Sequence, residues 1–312
     1  MRIGMVGAVG DAHVQALAEA LSSRQVDSFV VESRGMLDRV AHTLDGSSLR
    51  VDGEDLSDVA AWYVRFVAAS YYRPPSPAAP ATTDPALRAQ VALQSGWLQN
   101  LAHAGVPVVN SAGAGGRSKP LQLAIAREVG LAIPHTIVTN SVTDIDAFGA
   151  LHGRLVQKPV DGGDICRPLE AADVSRLDPV LDAPIIVQQR VEGRAVRVTM
   201  SRRDVFSAVA ISSQFLDYRD DPVYQAGEAV YHPVSVPAET TSLLSQFMER
   251  YQLDFAGIDL IQTAHGEHVF LEANSSPMWL EIEQRSGHPI TSQLADLLVE
   301  LAARSVSHSR GR

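Results

Sequence analysis

Asp259, Glu272 and Asn274 close two short apolar runs, Phe255-Ala-Gly-Ile-Asp259-Leu-Ile and His268-Val-Phe-Leu-Glu272-Ala-Asn274. A two-residue hairpin turn at His265-Gly266 between them sets Asp259 opposite Glu272 and Gly257 opposite Asn274. Period-two alternation then puts all three oxygen-bearing side chains on one face. Opposed carboxylates repel unless a cation neutralises them. Carboxylate and amide oxygens are hard ligands, which suits Mg²⁺ shared with phosphates. A solvated acidic face is the bland alternative, but the flanking residues are apolar.

Lysine is scarce. Lys119 and Lys158 are the only two, against 24 arginines, and a compact ammonium suits crowded phosphate oxygens better than a guanidinium does. Lys158 ends the run Leu155-Val-Gln-Lys158-Pro before the turn Asp161-Gly-Gly-Asp164, where backbone N–H groups can approach the same phosphate. Lys119 lies in the first turn of a helix capped by Ser118, where the dipole favours anions. Either lysine alone also reads as a solvated surface charge. Ile185-Ile-Val-Gln188-Gln189-Arg190-Val191-Glu192 reads as a strand able to hold a purine through its backbone, with Glu192 on ribose hydroxyls. Arg197, inside the apolar strand Ala195–Met200, requires an anion or a salt bridge.

A rival signal opens the chain. Gly4, Gly7 and Gly10 with Glu32 downstream imitate a dinucleotide-binding start, in the spacing G-x-x-G-x-x-G rather than G-x-G-x-x-G. A tight strand-to-helix turn accounts for it equally well. The single cysteine, Cys166, allows no internal disulfide and suggests a reducing, cytoplasmic setting. The formal net charge of −10 argues against a nucleic-acid partner, and no apolar run reaches the length of a membrane span.

The elements that must position these residues alternate in type, as in an α/β chain. Strands are expected at 1–6, 28–32, 60–67 and 106–109, with helices at 12–21 and 87–104. A proline-rich loop runs from Arg73 to Pro85. From Ser118 a helix carries the stripe Leu121, Ile125 and Val129 and stops at Gly130. Strands at 133–139, 154–160, 185–191, 195–200, 205–212, 256–261 and 268–273 follow, with helices near 142–151, 239–251 and from 290. This organisation divides the chain into an N-terminal α/β domain (1–109), a central lobe (110–184), a C-terminal lobe with the metal site (185–304) and a flexible tail (305–312).

The order Lys119, Lys158, strand 185–191, then Asp259, Glu272 and Asn274 resembles the ATP-grasp fold over residues 106–303: two α+β lobes behind an N-terminal α/β pre-ATP-grasp domain. Ser118–Asn140, Ser213-Gln-Phe-Leu-Asp217-Tyr-Arg219, Trp279-Leu-Glu-Ile-Glu283 and Gly287-His-Pro-Ile-Thr resemble the microviridin-type ribosomal-peptide maturases. They are also similar to the RimK-like, glutamate-adding ligases. The resemblance implies ATP, with Lys119 and Lys158 on its phosphates and Gln188, Gln189, Arg190, Val191 and Glu192 around the adenosine. It further implies Mg²⁺, or Mn²⁺ in its place, on Asp259, Glu272 and Asn274, and Arg197 at the transferring phosphoryl group. An Asp-x-Arg element contacts the peptide in the maturases, which implicates Asp217 and Arg219. Ala195, the short turn after Lys158 and Ser275-Ser-Pro-Met278 depart from the family pattern.

The implied activity is ATP-dependent joining of a carboxylate to an amine or hydroxyl through an acyl phosphate, on a peptide, by an enzyme that could pair as a homodimer. The alternatives are a ligase of free amino acids or small peptides, a nicotinamide-dependent oxidoreductase built on the N-terminal glycines, and a nucleotide-binding protein without catalysis.

Overall fold

The first sheet grows from β1 (Arg2–Gly7), whose residues Ile3, Met5 and Val6 are fully buried. In the computed structural model, residues 1–32, 42–46, 48–51, 53–65, 85–110, 118–160, 165–170, 174 and 179–309 are described. All but the last residue of the proline-rich stretch, and the Asp161–Asp164 turn, lie outside them. With β2 (Asp27–Glu32), a small antiparallel sheet of β3 (His42–Asp45), β4 (Ser48–Val51) and β5 (Glu54–Asp55), then β6 (Val59–Val64) and β7 (Val108–Val109), the N-terminal lobe contains a parallel sheet of order β2-β1-β6-β7. Helix α1 (Ala12–Ser22) packs Val14, Leu17 and Leu21 under one face, and α2 (Pro85–His103) packs Trp97 and Leu98 under the other. Gly4 is required by this packing: a Cβ there would lie 2.2 Å from the Trp62 ring.

Helix α3 (Lys119–Glu128) comes next, followed by the central sheet, order β10-β9-β11-β8, made of β8 (Thr136–Ser141), β9 (Leu155–Pro159), β10 (Arg167–Leu169) and β11 (Val180–Gln189). Helix α4 (Val142–His152) covers one face through Ile145. Strand β11 pairs with both β8 and β9. The crossing into the next sheet therefore falls after Gln189, not at the expected break after residue 184.

The third sheet has the order β14-β13-β12-β15-β16: β12 (Arg194–Ser201), β13 (Val205–Ile211), β14 (Tyr231–Pro233), β15 (Phe255–Gln262) and β16 (His268–Asn274). A 3₁₀ turn at Tyr218–Asp220 and a short helix α5 (Pro222–Gln225) precede β14. Helix α6 (Ala238–Arg250) buries Leu244, Phe247 and Met248 on this sheet. Helix α3 shares that core through Leu123, Ala126 and Val129, so it belongs to the large sheet rather than to the central lobe. Its buried face is also turned from the expected stripe: Leu121 is 48% exposed and Gln122 is buried. After α7 (Leu280–Ser286), α8 (Ile290–Ser309) lies against β6 and α1 of the first lobe. It runs as helix through Ser309, into the stretch expected to be a tail.

Candidate active site

The ladder between β15 and β16 places Asp259 opposite Glu272 and Gly257 opposite Asn274. The register was expected, but its origin differs. Gln262 pairs with His268, the turn closes with the Thr263 N–H donating to the Glu267 carbonyl at 2.9 Å, and Gly266 takes φ +83°. A bulge at Leu271, between the Leu260–Phe270 and Asp259–Glu272 pairs, then shifts the strands by one residue. Two departures from a regular two-residue hairpin cancel. Ile258, Leu260, Phe270 and Ala273 fill the core, and the acids take the other face.

The cations required by the opposed acids come from the protein itself. Arg197 pairs with Asp259 across β12–β15, Nη1 to Oδ2 2.6 Å. Its guanidinium occupies the space above Gly257, where a Cβ would lie 2.7 Å from Nε. Lys119 reaches Glu272 Oε2 at 3.2 Å. The two carboxyls diverge as a result. Burial, reinforced by Glu272, pushes Asp259 up despite Arg197; burial would also raise Glu272, but Lys119 and Lys158 hold it down. Asn274 directs Nδ2 at Asp259 (3.3 Å) and Glu272 (3.5 Å). A half-turn of that amide places its oxygen there instead, giving three hard oxygen donors, the donor set that fits Mg²⁺.

Gln122 accounts for the rotation of α3. It stands one turn beyond Lys119 and pairs with the outer edge of β16: Nε2 donates to the Ala273 carbonyl at 3.0 Å, and Oε1 accepts the Ala273 N–H at 2.8 Å. The side chain thus acts as a further strand, fixing α3 beside Glu272. No periodicity argument finds it, because a glutamine counts as polar wherever it lies.

Lys158 is buried on the face of the central sheet opposite α4, the face it shares with Val156, Ile186 and Gln188. Burial holds its ammonium below the ordinary lysine range, and Lys119 adds to this; Glu272 and Asp259 oppose it. Gln188 donates Nε2 to Thr136 Oγ1 at 3.0 Å. The N–H groups of Gln189 and Arg190 go to the His135 and Arg154 carbonyls, so neither of these two donors is free for a ligand. Glu192 is an exposed acid held by Arg154 and Arg190, each 2.9 Å away, and must leave them to meet a ribose.

Asp217 and Arg219 bind each other, Nε to Oδ1 2.8 Å and Nη2 to Oδ2 2.5 Å. Asp217 also accepts the Cys166 N–H at 3.0 Å. Burial would raise its carboxyl, but Arg219 and that N–H hold it low. Asp217 is buried and Arg219 half exposed, so the first positions the second. Between them Tyr218, unremarked in the sequence, is pushed up by burial and by Asp259.

The N-terminal glycine turn has already committed backbone donors to carboxylates of the chain itself. Asp11 caps α1, accepting the His13 N–H at 2.8 Å and the Val14 N–H at 3.3 Å. Glu32, the acid expected on a ribose, accepts the Val9 N–H at 2.6 Å. Two carboxylates of the chain thus hold three backbone donors of this turn, which counts against the oxidoreductase reading.

Residues 165–298 match the RimK-like ATP-grasp domain family, and the chain has the ATP-grasp fold. The ATP-grasp ligase PsnB, solved with a minimal precursor, is 29% identical with a TM-score of 0.82, covering 96% of this chain and 98% of its own. The macrocyclase MdnC from Microcystis aeruginosa MRC, bound with precursor peptide MdnA, covers 96% of this chain and 99% of its own with a TM-score of 0.75. Its 20% identity speaks to the fold alone. A probable alpha-L-glutamate ligase of Alkalilimnicola ehrlichii is 26% identical over 59% of this chain, and the matched stretch spans 63% of that relative's length. No helix among the described residues is long and apolar enough to cross a membrane.

Proposed function

We propose that the chain is an ATP-dependent ligase that activates a carboxylate as an acyl phosphate and joins it to an amine or hydroxyl within a peptide substrate. The observation that carries this reading is one ladder on which Asp259 and Glu272 face each other, each bonded to a different cation, Arg197 and Lys119. The likeness to PsnB over nearly its whole length supports a precursor peptide as the substrate class.

Adenine would lie against the Val156–Ile186 face of the central sheet, with the Gln189–Glu192 segment at its edge. Lys158, on that same face, and Lys119 would hold phosphate oxygens. Asp259, Glu272 and Asn274 would hold Mg²⁺, which supplies charge neutralisation to the phosphates. A substrate carboxylate oxygen attacks the γ-phosphorus, the bond to the ADP oxygen breaks, and the acyl phosphate forms. The amine or hydroxyl then adds to the acyl carbon, phosphate leaves, and the nucleophile's proton passes to solvent. Positioning and charge suffice for such transfer. Arg197 has the place to steady the transferring group, and Arg219, braced by Asp217, has the exposure to receive the substrate carboxylate.

Glu272→Gln keeps the shape and removes the charge. Carboxylate-dependent ADP release should fall by at least about 100-fold in this variant, measured by coupled ADP detection. Full activity in a folded Glu272→Gln protein would remove the metal assignment.

A further inference from the structure

Two buried amides from outside the acidic ladder hold its backbone at the end that carries Glu272 and Asn274. Gln122 takes both the N–H and the carbonyl of Ala273, the residue between Glu272 and Asn274. Asn110, at the end of the N-terminal lobe, uses its whole side chain: Nδ2 donates to the Phe255 carbonyl (2.8 Å) and the Ser275 carbonyl (2.7 Å). Oδ1 accepts the N–H groups of Asp254 (3.2 Å) and Phe255 (3.1 Å). It thereby ties the start of β15 to the residue after Asn274. Asn110 is 5% exposed and holds a left-handed backbone, φ +58°, a conformation unusual for a residue other than glycine that asparagine tolerates best. Gln122 satisfies backbone groups on the outer edge of β16, the edge strand of its sheet, and Asn110 satisfies groups beyond the Gly257–Asn274 pair that ends the β15–β16 ladder.

From this we infer that Asn110 and Gln122 are positioning residues for the cation site: they fix where Glu272 and Asn274 stand relative to Asp259 and Lys119. A cation site requires ligands held to a fraction of an ångström, and backbone anchors on either side of two ligands supply that. The inference rests on the proposed role of Asp259, Glu272 and Asn274.

The test is calorimetric titration of Mg²⁺ into ADP-saturated protein, with ADP binding in EDTA measured beside it. Gln122→Met keeps length and removes both bonds. Asn110→Gly removes all four while keeping a residue that adopts positive φ without strain, so it carries the test if Gln122→Met fails to fold. Each folded variant should bind Mg²⁺ about tenfold or more weakly, with ADP affinity in EDTA unchanged, as expected for outer supports of a metal site. Unchanged Mg²⁺ affinity in a folded variant overturns the inference, as does equal weakening of ADP in EDTA, which marks a general structural role. Glu272→Gln separates the two layers. If it loses Mg²⁺ binding while both amide variants keep it, the site stands and the positioning role falls. If it binds Mg²⁺ like the wild type, both fall together.

Discussion

The starts of α1 and α3 look alike as anion sites in the sequence: each follows a glycine-bearing stretch and opens a helix with a polar cap. At α1 the cap is Asp11, whose carboxylate takes two helix N–H groups and pairs with Arg65 at 3.4 Å. Its negative charge already satisfies the helix dipole. At α3 the cap is the neutral Ser118, whose hydroxyl accepts the Leu121 N–H at 3.3 Å, and the next residue, Lys119, adds a cation. One end is closed by its own acid and has become part of the junction between lobes, where His13 Nε2 accepts the Trp279 N–H at 3.1 Å and Arg65 donates to the Pro277 carbonyl at 2.6 Å. The other keeps an electropositive end beside an acidic ladder. The two helix starts differ in the charge at the cap, an acid at α1 and a neutral hydroxyl followed by a cation at α3, and not in their glycine content.

The largest effect should come from Arg197→Met. Ligation should fall by about 10³-fold, the scale of an arginine facing a transferring phosphoryl group. Stability should fall by about 3–5 kcal/mol, because Asp259 is left buried and unpaired. Adding Asp259→Asn should restore much of the stability in urea melts and none of the activity; recovery of both would make the pair structural, like the α1 junction.

At that junction the test is pH. Burial, aided by Arg65, lowers His13 from 6.5 to about 4. The unfolded chain therefore binds a proton that the folded chain refuses. This contribution is intact above the unfolded value and is lost as pH falls from 6.5 to about 4, about 3 kcal/mol in all. His13→Gln should flatten that part of the stability profile measured by urea melts at each pH.

Lys158→Arg keeps the charge and should weaken ATP by about tenfold, or about 1.4 kcal/mol. Because burial lowers the pKa of Lys158, a fraction is neutral in the alkaline range below 10.5. A polyphosphate favours the ammonium, so nucleotide binding there should take up protons, read by calorimetry in buffers of different ionisation heat. Normal ATP affinity in the variant would return Lys158 to a structural role. The smallest effect on nucleotide binding is expected from Asp11→Ala: ATP affinity should be unchanged, while stability falls by more than the about 1 kcal/mol of a lost cap, because buried Arg65 also loses its acid. ATP affinity that moves with Asp11 would erase the distinction between the two helix starts.

The strands were legible because their apolar runs are short and bounded, and the facing of Asp259 and Glu272 followed from alternation. The same arithmetic missed how that facing arises, since a longer turn and the Leu271 bulge compensate each other. The stripe on α3 was set wrongly by Gln122, a polar residue whose amide completes a sheet edge and is therefore buried. Strand β11 was assigned to the wrong lobe because sheet membership is decided by pairing partners, here β8 and β9, which no local pattern contains. Asn110 gave no signal at all: its bonds reach residues 144 to 165 positions away in sequence.

By itself the sequence determined which side chains are on offer: two carboxylates and an amide on a pair of strands, two lysines, and an arginine inside an apolar strand that had to meet an anion. These follow from side-chain charge and from the two-residue repeat of a strand, both local properties. Tertiary structure decided which charges neutralise which. It gave Asp259 to Arg197 and Glu272 to Lys119 at the start of α3, and closed the α1 turn with Asp11 and Glu32. Electrostatic and hydrogen-bond partners depend on distance in space, which the chain fixes only after distant segments have packed.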